Sequence, residues 1–152
     1  MTASSKFKQV FTKKHLRHIY QNNVRFRGAT GVDRVNRHIF DTTIEENIDI
    51  IYRKVNNGKY LFSQYREKLI SRGPDKYPRV ISIPTIRDKL VQRALSEILI
   101  ALYRDRVPFL HKVVGDAIKA YSSNKYAHYI RFDVKDFYPS VQHKILLNQI
   151  SQ

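Results

Sequence analysis

The chain has 152 residues, 42% of them hydrophobic, a length and composition typical of one folded domain rather than a disordered segment. It has no cysteine, which excludes disulfides and thiolate metal sites, and its apolar runs are too short to span a membrane. Twenty-eight lysines and arginines against 13 acidic residues give a formal charge of +15. Such an excess is typical of proteins that bind a polyanion, so we expect a cytoplasmic nucleic-acid-binding protein rather than one that binds a membrane surface. The plainer interpretation is that the charge serves solubility.

The first 58 residues are predicted to be mostly helical, with one basic loop. A weak helix is predicted over 6–20 and a loop over 22–38. Two overlapping capping boxes in the string TTIEE, at 42–46, then begin a helix with isoleucine and valine at helical spacing. The string NNG at 56–58 ends that helix.

Between residues 59 and 84, the spacing of apolar residues changes from one typical of a helix to one typical of strands. Short strand-like segments are predicted at 60–65, 68–71 and 79–83. The string RGPD at 72–75 separates the last two and is a good turn. We therefore expect an antiparallel hairpin that carries several cations.

The strongest predicted helix follows this hairpin. Thr85 is its expected N-cap, and Asp88 lies in its first turn. Pro108 ends the pattern, and a further helix is predicted over 113–121. The predicted buried face of the strongest helix consists of Leu90, Val91, Ala94, Leu95, Ile98, Leu99, Leu102 and Tyr103.

The last part of the chain predicts a strand and then a helix. Residues 128–134 alternate, with Ile130, Phe132 and Val134 on one face and Asp133 on the other. A turn ends at Pro139, Ser140 is the expected N-cap, and the final helix is predicted to begin at Val141. A strand of this kind without neighbours would expose its apolar face or pair with a second copy of the chain.

Two carboxylates, Asp133 and Asp136, lie at the end of this predicted strand. Such a pair can present oxygen ligands to Mg²⁺, which binds one or two carboxylates together with substrate phosphates. Phosphoryl transfer through two such ions is one use of the arrangement. The alternative is that both aspartates are ordinary turn or cap residues.

Three segments resemble reverse transcriptases. FDVKDFYPSV at 132–141 resembles their first palm motif, and RVISIPTIRDKLVQRAL at 79–95 resembles the fingers motif of the bacterial enzymes. Gly31-Val-Asp33 and the helix that ends at Gly58-Lys-Tyr60 are similar to the N-terminal extension of group II intron and related enzymes. The resemblance covers about residues 25–150, in the family's order. It implies an α+β fold, with an extension and fingers over 1–127 and the beginning of a palm over 128–152.

The resemblance implies an RNA-directed DNA polymerase that uses two Mg²⁺ ions, dNTPs, an RNA template and a DNA or RNA primer. Asp133 would be the catalytic, metal-binding aspartate, with the carbonyl of Val134 as a main-chain ligand. Asp136 and Phe137 would lie beneath the incoming triphosphate. Tyr138 would be the steric gate against a ribose 2′-OH, although such a residue can also be an ordinary half-buried aromatic.

The hairpin would supply cations above the same triphosphate. Arg79 would contact the phosphates through its planar fork, which can donate two parallel hydrogen bonds. Arg72 would be the second contact, but Lys68 or Lys76 could take that place. Each of these residues could instead be a solvated surface cation.

Further cations are expected to contact the nucleic-acid backbone, which would give salt-dependent affinity with little sequence preference. The alternative is a solvated face. The residues concerned are Arg25, Arg27, Arg34, Arg37, Arg87, Lys89 and Arg93.

The second acidic motif of the family, an aromatic-x-Asp-Asp turn, does not occur in this sequence. The nearest string, YRDR at 103–106, lies at the end of a predicted helix. We therefore expect the chain to be inactive alone and to be part of a longer enzyme from a group II intron, a retron or an antiviral-defence system. The second hypothesis is a non-catalytic RNA-binding module derived from the same fold.

Overall fold

The computed structural model describes residues 2–26, 29–104, 110–123 and 125–151. The chain forms two compact units, Met1–Val107 and Pro108–Gln152. The regular elements of the described residues are helices and one small antiparallel sheet, which confirms the predicted α+β class. No helix in these ranges is both long enough and apolar enough to cross a membrane.

In the first unit, the described residues form five α-helices, a short π-helix and the two strands of the sheet. Their bounds are α1 Ala3–Val10, α2 Lys13–Ile19, the π-helix Tyr20–Val24, α3 Arg37–Thr42, α4 Ile44–Asn56, β1 Arg66–Ile70, β2 Arg79–Ile83 and α5 Ile86–Leu102.

The core of this unit is formed by buried residues from each of the helices α1 to α5 and from the π-helix. The rings of Tyr20 and Phe40 pack against each other at a tilt of 34° with centroids 4.7 Å apart, and both side chains are almost fully buried. Burial of this apolar surface is the main stabilising contribution to the unit. The core residues are Val10, Phe11, Leu16, Ile19, Tyr20, Val24, Phe40, Ile48, Ile51, Ile86, Leu90, Val91, Ala94 and Ile98.

The helix predicted over 6–20 is divided into α1 and α2 at Thr12. The Thr12 hydroxyl accepts a hydrogen bond from the His15 amide at 3.2 Å and so begins α2 as its N-cap. The loop predicted over 22–38 was partly wrong, because the π-helix and α3 occupy its two ends. Asn36 begins α3, since its side-chain oxygen accepts from the Ile39 amide at 3.0 Å.

The helix predicted after residue 42 is confirmed as α4, but its capping boxes are not formed. Thr43 follows α3 directly, and its hydroxyl donates to the Ile39 carbonyl at 3.0 Å and accepts from the Asn47 side chain at 2.8 Å, so it does not accept from a main-chain amide of α4. At the other end, the amides of Gly58 and Lys59 donate to the carbonyls of Val55 and Lys54. Gly58 has φ +64°, so this is a Schellman ending at the predicted place.

Helix α5 begins as predicted, because the Thr85 hydroxyl accepts from the Asp88 amide at 3.1 Å. The centre of its predicted buried face is confirmed by Leu90, Val91, Ala94 and Ile98. The assignment of Leu95 and Leu99 to that face was wrong, since both are exposed. At 100° per residue these two leucines lie beyond the edge of the buried stripe.

In the second unit, the described helices are α6 Leu110–Ser122, α7 Phe137–Ser140 and α8 His143–Ile150. Helix α6 confirms the prediction over 113–121. The final helix begins at His143, two residues later than predicted, and the Ser140 hydroxyl donates to the Phe137 carbonyl at 2.7 Å instead of capping the helix.

The strand predicted over 128–134 is not formed. A strand needs a neighbour for its N–H and C=O groups, and no described residue forms a ladder with this segment. Alternation of side chains alone therefore does not produce a strand here. The apolar residues of the predicted face are exposed, Ile130 by 78% and Phe132 by 86%.

Candidate nucleotide site

The hairpin of β1 and β2 presents three cations on one of its faces. The two strands are antiparallel, with Arg66 opposite Ile83, Lys68 opposite Ile81 and Ile70 opposite Arg79. Opposite residues share a face, and side chains alternate along each strand. Arg66, Lys68 and Arg79 therefore lie on the same face, which we call the cationic face.

The charges of the cationic face are not neutralised within the described part of the chain. No described carboxylate lies within ion-pair distance of Arg66, Lys68 or Arg79. Glu67 lies on the opposite face by the same alternation. An exposed group of three cations without a carboxylate is suited to bind an anion with several negative charges, such as a triphosphate or a nucleic-acid backbone.

Arg72 lies in the loop that joins the two strands, outside the cationic face. The loop spans residues 71–78, and Gly73 adopts φ +104°, a conformation that favours glycine. Arg72 and Lys76 are both exposed. The structure therefore places Arg79 on the same face as Arg66 and Lys68, while Arg72 and Lys76 are loop residues.

The base of the hairpin is joined to α5 by a buried carboxylate that the sequence alone did not identify as a contact. Asp88 is 1% exposed and accepts hydrogen bonds from the Tyr60 hydroxyl, the Ser63 amide and the Thr85 hydroxyl, at 2.8, 3.1 and 2.8 Å. We call these four residues the Asp88 cluster. Burial, followed by the hydrogen bond to Asp88, raises the pKa of the Tyr60 hydroxyl. Thr85-x-x-Asp88 was the only signal of this cluster in the sequence.

The loop that contains Gly31-Val-Asp33 approaches the junction of β2 and α5. A Cβ on Gly31 would lie 2.7 Å from the Thr85 Cα, so this position requires glycine. The Asp33 side chain accepts from the Val35 amide at 3.1 Å. The segments that resemble the N-terminal extension and the fingers motif are therefore in direct contact.

The predicted nucleic-acid contacts near the N-terminus include one cation with a carboxylate partner. Arg25 donates to Asp41 at 3.1 and 3.2 Å, and Asp41 also accepts from the Tyr20 hydroxyl at 2.7 Å. The Tyr20 hydrogen bond, followed by those from Arg25, lowers the pKa of the Asp41 carboxyl. Arg25 and Arg37 both lie near the Phe26 ring, with guanidinium carbons 5.4 and 5.6 Å from its centroid.

Of the other two predicted cations near the N-terminus, Arg34 is among the described residues and Arg27 is not. Arg34 has φ +58°, in the left-handed region that few non-glycine residues adopt. Its amide donates to the Gly31 carbonyl at 3.2 Å, which closes a turn. Arg27 lies outside the described residues.

The three predicted cations of α5 have different environments. Arg93 is 3.6 Å from Glu97 on the next turn. Lys89 donates to the Ala29 carbonyl at 2.8 Å, and burial lowers its pKa, an effect that the nearby Asp33 partly offsets. Arg87 has no ion-pair partner among the described residues and is half-buried. Lys89 thus has a hydrogen-bond partner within the chain, while the charge of Arg87 is available to contact an anion.

The predicted catalytic segment lies in the second unit. Asp133 and Val134 belong to the irregular segment before α7 and are exposed. Asp136 has φ +52°, and its carbonyl accepts from the Ser140 amide at 3.0 Å. The rings of Phe137 and Tyr138 meet edge to face at 5.3 Å, and Tyr138 is 84% exposed.

These residues fit only part of a two-ion Mg²⁺ site. Asp133 and the Val134 carbonyl could supply two oxygen ligands to one ion, with water and phosphates as the remainder. No group of three or more metal-ligating side chains occurs in the described ranges. A second ion would require a further carboxylate, so no catalytic step through a metal pair follows from these residues alone.

Compared with models of known protein families, the chain matches none, and a search of curated proteins finds no similar sequence. The role of each candidate residue is therefore still a prediction from the motifs and from the geometry of each unit.

Proposed function

We propose that this chain is the N-terminal extension, fingers and first palm motif of an RNA-directed DNA polymerase. The observation that carries the proposal is the cationic face of the hairpin, with the motif arginine Arg79 on it and no described carboxylate paired with it. A triphosphate in transfer needs its charge neutralised and its position fixed, and three cations on one face of a hairpin suit that task.

The catalytic side of the proposal rests on Asp133 and Tyr138. Asp133 would hold one Mg²⁺ together with the Val134 carbonyl, and both are exposed to solvent. Tyr138 follows Asp133 by five residues and is exposed, so its ring is free to contact a substrate sugar. Asp136 and Phe137 would line the floor beneath the triphosphate.

Primer extension tests this function in a polypeptide that contains the chain and a second acidic palm motif. Asp133→Asn keeps the shape of the side chain but removes its charge, so we expect dNTP incorporation to fall by at least about a hundredfold. Glu67→Gln is the matched control, because it removes a carboxylate from the opposite face of the hairpin. Equal incorporation by the Asp133 variant and the wild type would refute the catalytic assignment.

The gate assignment has a separate test in the same assay. Tyr138→Val should increase incorporation of rNTPs relative to dNTPs, because the smaller side chain leaves space for a 2′-OH. Tyr126→Val is a control at another exposed tyrosine of the second unit. An unchanged rNTP to dNTP ratio in the Tyr138 variant would contradict a gate at this position.

The second candidate function is a non-catalytic RNA-binding module. The formal charge of +15 and the unpaired cationic face support this function as well as they support a polymerase, because RNA can bind to these cations without a metal ion. The two functions differ in what competes for the cationic face. A polymerase fragment should bind dNTP and Mg²⁺ there, whereas a pure RNA-binding module should bind RNA and show no saturable dNTP binding.

A further inference from the structure

The Asp88 cluster holds both ends of the hairpin at one point. Ser63 precedes β1 by three residues and Thr85 follows β2 by two, and both donate to the same carboxylate oxygen of Asp88. Tyr60 donates to the other oxygen at 2.8 Å. One side chain therefore fixes the chain where it enters the hairpin and where it leaves.

A carboxylate is well suited to this position. It is an acceptor only, so it can take three donors at once without presenting an N–H of its own to any of them. It also lies in the first turn of α5, where the helix dipole favours a negative charge. No described lysine or arginine pairs with Asp88, so these donors and the helix end compensate its burial.

One turn further along α5, a second hydrogen bond connects this helix to the residues just before β1. The Gln92 side chain donates to the Tyr65 hydroxyl at 3.0 Å, and Tyr65 directly precedes β1. Ile83, the last residue of β2, is the one buried side chain of the two strands. The remainder of both strands is exposed or half-buried, so the direction of the hairpin is determined at its base.

We propose that Asp88 is a positioning residue that sets the orientation of the cationic face for phosphate binding. The proposal rests on the proposed function, since it assigns Arg66, Lys68 and Arg79 to a triphosphate. Asp88 acts through the hairpin and does not itself contact the substrate. Loss of its hydrogen bonds loosens the hairpin at its base while the helical core stays folded.

Hydrogen exchange of the chain tests the positioning role directly. Tyr60→Phe removes one hydrogen bond to Asp88 without changing the shape of the side chain, and Asp88→Asn changes the acceptor itself. The matched control is Tyr20→Phe, which removes a hydrogen bond of similar length from a tyrosine to Asp41, within the core and away from the hairpin. Exchange is followed at the amides of 66–70, 79–83 and α5.

We expect Tyr60→Phe to accelerate exchange at the hairpin amides about tenfold and to leave that of the middle of α5 unchanged. Asp88→Asn should have a larger effect at the same amides. Tyr20→Phe should leave the hairpin unchanged. If the hairpin amides do not respond to Tyr60→Phe, or respond equally to Tyr20→Phe, the positioning role is refuted.

Titration with dATP and Mg²⁺ separates this inference from the function on which it rests. If the wild type binds dATP and Tyr60→Phe weakens binding several-fold, both stand. If the wild type binds dATP and the loosened variant binds equally well, the orientation of the hairpin does not matter and the inference fails alone. If the wild type does not bind dATP, the proposed function fails, and with it the role of Asp88 in phosphate binding.

Discussion

Substitution of Gly31 by alanine tests whether the N-terminal loop packs against the fingers motif. The added Cβ would lie 2.7 and 2.9 Å from the Cα and N of Thr85 and 3.0 Å from the carbonyl carbon of Pro84. All three atoms belong to the main chain, so no flexible side chain can move aside. Because carbon contacts are normally about 3.5–4.0 Å, the loop must retreat by most of an ångström.

The loss in free energy of unfolding caused by this displacement can be estimated from similar substitutions. Overpacking of a closely packed site typically costs about 1–3 kcal/mol. In a unit of this size, 1 kcal/mol corresponds to a change in Tm of about 4–8 °C. We therefore expect Gly31→Ala to lower the Tm by about 5–15 °C, measured by far-UV circular dichroism.

Gly115→Ala is the matched control. Gly115 lies within α6 and has no heavy atom within 4 Å of the position of an added Cβ. Alanine is favoured over glycine inside a helix by up to about 1 kcal/mol, so the Tm should stay the same or rise by as much as several degrees. A Tm for Gly31→Ala within 1 or 2 °C of the wild type would mean that Gly31 does not approach Thr85, and the described contact would be wrong.

Three further predictions follow from the same structure. Gly58→Ala should destabilise the chain by about 1 kcal/mol in urea unfolding, because Gly58 has φ +64° at the end of α4; an unchanged midpoint would contradict the Schellman ending. Asp41 has a lowered pKa in the folded state, so its stabilisation is present above the unfolded value and is lost as pH falls below about 4. Asp41→Asn should therefore show a smaller loss of stability between pH 5 and 2 than the wild type, and parallel curves would refute this. Replacement of the three cationic-face residues by alanine should reduce the slope of log affinity against log salt for single-stranded RNA by about 2, and an unchanged slope would place the contact elsewhere.

Local sequence signals predicted the elements whose determinants are close in sequence. The isoleucine spacing of α4, the ending at Gly58 and the Thr85 cap of α5 each depend on residues within one or two turns. The hairpin was predicted for the same reason, because both strands and their turn are contiguous, but the strand predicted at 60–65 was wrong, since these residues are irregular. Such short-range patterns are directly readable from a sequence.

Features that depend on distant residues were not predicted. The contacts of Asp88 with Tyr60 and Ser63 join residues 25 or more positions apart, and nothing near Asp88 indicates them. The close approach of Gly31 to Thr85 is also invisible until both segments are placed. The capping boxes at 42–46 were wrong because α3 ends at the same residues and uses the Thr43 hydroxyl.

In the candidate site, too, features set by neighbouring residues were predictable and features that need distant residues were not. The register of the hairpin, which places Arg79 on the same face as Lys68 and Arg66, follows from strand pairing once the strand ends are known. The strand predicted around Asp133 failed because alternation cannot supply a partner strand. The roles of Asp133 and Tyr138 continue to rest on the motif that contains them.

The most direct test of the central claim is a titration of this chain with a fluorescent dATP analogue and Mg²⁺, comparing Arg79→Ala with Arg53→Ala. Both variants lose one exposed arginine, but Arg53 lies on α4, where it pairs with Asp49 at 2.7 Å. If a triphosphate binds the cationic face, Arg79→Ala should weaken binding at least about tenfold while Arg53→Ala changes it less than twofold. Equal affinity of the two variants, or no saturable binding by the wild type, would contradict the assignment of the hairpin as a triphosphate site.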